Sequence, residues 1–107
     1  MQKKIYFIIT KLVIIILLSS GQVNSQEITI KLHHFLGTNS TTHKIFLVPW
    51  AKKIENESNG RIKINIFPSM QLGGKPQQLI DQVIEGFVEA LWTLPGYTSG
   101  RFPIVSV

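Results

Sequence analysis

From residue 28 the chain is written in alternating and helical apolar patterns. Residues 28–34, Ile-Thr-Ile-Lys-Leu-His-His, alternate and are rich in β-branched side chains, which predicts a strand. Thr38 to Thr42 supply turn and N-cap residues, and a helical pattern runs over 42–58. Leu47, Trp50, Ala51 and Ile54 make its apolar stripe, while Lys52, Lys53, Glu55 and Glu57 face water. Pro49 falls inside this pattern, so it either kinks the helix or sits in the first turn of its second half. Asn59-Gly60 is a stop, Gly60 being suited to a left-handed cap.

A second strand follows, with Ile62, Ile64 and Ile66 on one face and Arg61, Lys63 and Asn65 on the other. Pro68 ends it, and Gly73-Gly74 turns the backbone toward a helix over 76–85 with Pro76 in its first turn. Leu79, Ile80, Val83 and Phe87 line one face of that helix. Ala90 to Leu94 is an apolar run without alternation, as expected of a strand buried on both faces. Pro95 to Pro103 reads as a loop.

The order β-α-β-α-β implies right-handed crossovers and a parallel sheet, the start of a doubly wound α/β fold. The half-polar second strand belongs at an edge and the apolar third inside. Three strands do not complete such a sheet, so the expectation is an N-terminal part of a larger protein.

Composition changes the reading mainly at the amino end. Lys3-Lys4, the apolar run from Ile5 to Leu18, and Val23-Asn24-Ser25 have the layout of a secretory signal peptide over residues 1–25. The run is shorter than a spanning helix and Lys11 interrupts it. The formal charge of +5 falls to +2 once the three leader lysines are set aside, too little for a nucleic-acid footprint. With no cysteine there is no disulfide, thiolate metal site or lipoprotein anchor. Residues 26–107 are few for a self-sufficient domain.

The run from Gly60 to Gly73, GRIKINIFPSMQLG, resembles a stretch of the periplasmic substrate-binding proteins of TRAP transporters, the DctP-like family. Those proteins carry Gly-(Arg/Lys)-(Ile/Val)-x-(Ile/Val)-x-(Ile/Val/Leu)-(Phe/Tyr)-Pro-x-x-Gln-Leu-Gly. The resemblance extends from about Ile28 to the end of the chain. It departs at Glu89, where members usually show Asp. It implies a periplasmic binding protein-like fold of two α/β lobes with ligand held between them, this chain being an incomplete first lobe. It also implies lobe closure around an organic acid, such as a C4-dicarboxylate, and delivery to membrane permease subunits driven by an ion gradient. The main carboxylate-clamping Arg of the family comes later than Val107.

In doubly wound sheets ligands sit beyond the carboxyl ends of strands. His34 and Phe35 occupy that place on the first strand, Gly74 and Lys75 after the second, and Trp92, Thr93 and Tyr97 at the third. These seven are the candidate ligand contacts. Gly73 to Pro76 could offer free N–H groups and a positive helix end to an anion, or form only a turn with a solvated Lys75. Trp92 could equally be core. Arg101 reads as structural or surface.

His33, His34 and His43 invite a metal reading, but neighbours on a strand point to opposite faces and no acid or thiol stands nearby, so no metal site is expected. No cofactor is implied. No nucleophile–base constellation or close carboxylate pair supports catalysis. The reading is therefore a receptor for a small carboxylate, in the periplasm. The alternatives are a receptor for an ATP-driven importer or a secreted enzyme on the same scaffold.

Overall fold

The structure, a computed structural model, describes residues 2–19, 27–98 and 100–103. Helix α1 spans Gln2–Ser19, the part of the expected leader that is described. The predicted cleavage region and the boundary at 25–26 lie outside the described residues. Among the described residues no helix is long and apolar enough to cross a membrane.

Strands β1 (Ile28–His34), β2 (Ile62–Phe67) and β3 (Ala90–Trp92) form one parallel sheet in the order β2-β1-β3. Ile28 to His33 pair with Ile62 to Phe67, and Leu32 to His34 with Ala90 to Trp92. The edge position of β2 matches its alternation: the three isoleucines are half-buried, and Lys63 and Asn65 are exposed.

The third strand is shorter than the apolar run 90–94 from which it was read. It is three residues long, half-buried throughout, and flanks a central β1. The interior strand is β1, whose last three residues, Leu32, His33 and His34, are buried. Two histidines that suggest a polar strand end are packed and hydrogen-bonded inside.

The first crossover begins with a widened turn over Thr42–Leu47, in which the Val48 amide bonds to the His43 carbonyl five residues back. It continues as α2 (Val48–Glu57), with Pro49 in the first turn. Proline has no N–H and its ring crowds the carbonyl four residues earlier, which accounts for the loosened turn before it. Leu47 and Ala51 are buried beneath this segment, but Trp50 is partly exposed. The chain leaves α2 through Asn59 and Gly60, both left-handed, and the Gly60 amide bonds the Glu55 carbonyl at 2.8 Å.

The second crossover is a 3-10 turn over Pro76–Gln78 followed by α3 (Leu79–Ile84). Leu79 and Val88 are fully packed, whereas Phe87, expected on the apolar face, is half exposed. Its carbonyl instead accepts from Lys31 Nζ at 2.7 Å, and Glu89 Oε2 accepts from the Lys31 amide at 2.7 Å, fastening the entry to β3 onto β1.

Candidate functional site

Adjacent strand residues face opposite ways, and the paired histidines use this. His34 Nε2 meets His43 Nδ1 at 3.0 Å, on the segment leading into α2. His33 Nδ1 meets Gln82 Oε1 at 2.6 Å, on α3. The two crossovers therefore cover opposite faces of the sheet. The chain steps from β1 to one neighbour and returns past it to the other, so the direction of winding reverses between β1 and β3. The crevice beyond their carboxyl ends is where doubly wound sheets bind ligands.

Three aromatic rings stand at that point. Phe35, the first residue after β1, lies 5.0 Å from Tyr97 in an edge-on contact at 72°. It lies 5.8 Å from Trp92 at a tilt of 41°. Tyr97 belongs to the 3-10 turn Pro95–Thr98 that follows β3. Edge-on and tilted contacts let the positive rim of one ring meet the negative face of another, so the trio is a preformed apolar wall. Thr93 Oγ1, just past β3, is enclosed and has no hydrogen-bond partner among the described residues. A recess of about 240 Å³ lies beside the wall, lined by Leu32, Phe46, Leu47, Trp50, Leu91 and Trp92. Another of about 200 Å³ lies at Leu94, Gly96 and Tyr97. A larger hollow of about 300 Å³, at Ile28, Glu57 to Asn59, Arg61 and Ile62, is at the amino ends of the strands, away from the crevice.

The rim is held by hydrogen bonds from β1 outward. The Met70 and Ser69 amides bond to the His34 and Leu36 carbonyls at 3.0 and 2.9 Å. Both residues are left-handed although neither is glycine, at φ of 55° each. Such backbone persists only where its surroundings demand it. On the other face the Leu72 amide donates to His33 Nε2 at 3.2 Å. His33 Nδ1–H donates to Gln82 Oε1, and Gln82 Nε2 donates to the Gly73 carbonyl at 3.0 Å.

The candidate residues are thus divided. Phe35, Trp92, Thr93 and Tyr97 gather at the crevice. His34 is fully buried and offers no atom to a ligand directly. Its Nδ1 accepts from the Leu36 amide at 3.0 Å, so it shapes the loop that carries Phe35. Burial, then the nearby His43 and His33, lower its pKa from 6.5 to about 4, which keeps the ring neutral.

Gly74 and Lys75 do not form the open anion cradle considered above. The Lys75 amide is taken by Gln78 Oε1 at 2.8 Å, the Gly73 amide bonds to the Met70 carbonyl, and Lys75 is exposed. The turn is closed by its own side chains, beside the Pro95 turn. Every ring nitrogen of His33 and His34 is engaged by protein, so neither has a lone pair to give a metal. Arg101 pairs with Asp81 on α3. The sequence reading passed over Gln82, Phe46 and the Ser69-Met70 turn. Gln82 lies three residues after Leu79, on the side of α3 that meets the Gly73 turn, and that spacing was the available signal.

Comparison with known proteins bears on the same region. The family model for bacterial extracellular solute-binding protein family 7, DctP, matches residues 32–107. No curated protein matches. A TRAP solute-binding protein from a marine metagenome, specific for aromatic acids and solved with 3-hydroxybenzoate, is 50% identical with a TM-score of 0.71. The match covers 73% of this chain and 24% of that one. One from Rhodoferax ferrireducens with copurified benzoate is 46% identical over 71% of this chain and 24% of its own, with a TM-score of 0.69. A third, from Bordetella bronchiseptica with bound mandelate, is 25% identical over 70% and 23%, with a TM-score of 0.64. The chain therefore spans about a quarter of the length of these structures. The three-stranded α/β unit with its crevice at the strand ends corresponds to part of a lobe in those receptors. This chain belongs to the DctP family of bacterial extracellular solute-binding proteins.

Proposed function

We propose that this chain forms the first-lobe wall of a periplasmic receptor that captures an aromatic carboxylic acid for a TRAP-type permease. Residues 1–25 would act as a cleaved signal peptide, and residues 26–107 as part of the ligand-binding lobe. The observation that carries the reading is the Phe35–Trp92–Tyr97 wall at the point where the winding reverses. A flat apolar ring gains by packing on such a wall, whereas a C4-dicarboxylate presents two charged ends and little apolar surface to it. Aromatic acids also occupy the relatives that are 50% and 46% identical, while succinate is bound by one at 27%. An aromatic acid thus replaces the C4-dicarboxylate of the sequence reading.

The mechanism is capture by closure. The ligand ring packs on Phe35, Trp92 and Tyr97. Contacts from an opposing lobe would then favour the closed state, because a ligand shifts an equilibrium only through interactions that differ between the two states. His34, Ser69 and Met70 hold the rim rigid so that the wall needs little ordering when the ligand arrives.

Thermal denaturation of the full-length product of the reading frame tests this. Benzoate, 3-hydroxybenzoate, mandelate and succinate are added in turn. An aromatic acid at 100 times its Kd stabilises by about 2.7 kcal/mol. The reading fails if succinate alone raises the midpoint, or if none of the four does.

A further inference from the structure

Protons can be assigned along the chain of contacts that starts at the Leu36 amide. That amide can only donate, so His34 Nδ1 accepts and the proton of the neutral His34 ring lies on Nε2. His34 Nε2–H therefore donates to His43 Nδ1, 3.0 Å away. His43 Nδ1 must carry a lone pair, which leaves the His43 proton on Nε2. Full burial of His34 removes solvent as an alternative partner for either ring nitrogen. His43 itself is half-buried, its amide tied to Ser40 Oγ at 3.2 Å. Its ring meets that of His34 at 5.2 Å between centroids. Nε2 is on the side of the ring away from His34, and no partner for it occurs among the described residues.

His34 is in register with Trp92 on the neighbouring strand, so the two side chains share a face of the sheet. His43 stands over that face at the carboxyl end of β1. The residue after His34 is Phe35, the centre of the aromatic wall.

From this geometry we infer that His43 is a specificity-determining ligand contact, an outward-facing Nε2–H donor that bonds an acceptor oxygen of the aromatic acid. The inference rests on the receptor reading above and adds to it the polar group that this lobe offers. The histidine pair acts as a relay of orientation. The Leu36 amide sets His34, His34 sets His43, and the crevice gains a nitrogen that can donate and cannot accept. Ligands with an oxygen acceptor at that place are favoured, and those presenting only a donor are refused.

Two variants of the full-length product separate this from a structural role. In His43→Asn the side-chain carbonyl keeps an acceptor for His34 and the outward donor is lost. In His43→Gln an N–H reaches the position of Nε2 and the acceptor for His34 is lost. Calorimetric titrations with benzoate and 3-hydroxybenzoate are paired with melting of the ligand-free proteins. His43→Asn is expected to melt like the parent yet bind at least about tenfold more weakly, with His43→Gln retaining more of the affinity. Equal loss for both ligands assigns the donor to the carboxylate, and loss confined to 3-hydroxybenzoate assigns it to the ring hydroxyl. Parental affinity in His43→Asn overturns the inference while leaving the receptor reading intact. Failure of the parent to bind either acid overturns the receptor reading, and this inference with it. Imidazole nitrogen NMR adds an independent check: a proton on His43 Nδ1 at neutral pH refutes the relay whatever the titrations give.

Discussion

Gln82→Leu tests how the rim of the crevice is held. Gln82 accepts from His33 Nδ1–H at 2.6 Å and donates to the Gly73 carbonyl at 3.0 Å, joining α3, β1 and the glycine turn. Leucine is similar in size and removes both bonds. The Gly73 carbonyl is on the exposed side and can turn to water, so its loss costs little. His33 is fully buried, and its Nδ1–H would be left without an acceptor. A buried donor stranded in this way costs about 1–3 kcal/mol. For a domain of this size each kcal/mol lowers the melting midpoint by roughly 4–8 °C. Far-UV circular dichroism of the chain reads that shift. Hydrogen exchange reads the local consequence, because the Leu72 amide depends on His33 Nε2 and should exchange faster. His33→Phe combined with Gln82→Leu should recover only part of the loss: no ring donor is stranded, but the Leu72 amide loses its acceptor. Melting of Gln82→Leu within about 0.5 kcal/mol of the parent, with Leu72 exchange unchanged, would refute the reasoning.

Other outcomes follow from the same geometry. Gly74→Ala should destabilise more than Gly73→Ala in urea unfolding. Both glycines are left-handed, but a Cβ at Gly74 would stand 2.8 Å from Gln82 Nε2 while one at Gly73 meets nothing within 4 Å. The strain alone is about 1–2 kcal/mol at either position, and only Gly74 adds the clash. Acid should weaken the fold through His34. Its pKa is lowered on folding from 6.5 to about 4, so the unfolded chain binds the extra proton first, and stability is lost as pH falls from about 6.5 toward 4. The loss approaches about 3 kcal/mol, and His34→Gln should flatten that part of the pH–stability curve. Glu89→Ala should cost no more than about 1–2 kcal/mol, since the bond it breaks to the Lys31 amide is exposed, and equilibrium unfolding checks the size.

Much of the fold was legible because its devices are local. The isoleucine alternation of β2, the Pro49 break, the Gly60 cap and the glycine turn each depend on a residue type in one place. The order of strands is not local. Placing β1 in the centre required knowing that His33 and His34 are both buried, and a histidine declares its burial only through partners. Those partners, Gln82 and His43, lie 49 and 9 residues away. Phe35, Trp92 and Tyr97 were each named for standing at or just past a strand end, but that their rings meet was not legible, because the contact joins residues far apart in the chain. The glycine turn misled for a related reason. A turn before a helix looks like an anion cradle until the side chains of Gln78 and Gln82 are seen to fill it. The exposure of Phe87 was likewise invisible, since the chain leaves α3 through Gly86 before the helical face reaches that residue.

The central claim is that the crevice is built for an aromatic ring bearing a carboxylate. Calorimetric titration of the full-length receptor with benzoate and with succinate, under one buffer, tests it most directly. The account predicts that benzoate binds at least about tenfold more tightly, a difference of 1.4 kcal/mol or more, and that Phe35→Ala erases most of that preference. Succinate binding as tightly as benzoate, or a preference for benzoate that survives Phe35→Ala, would contradict it.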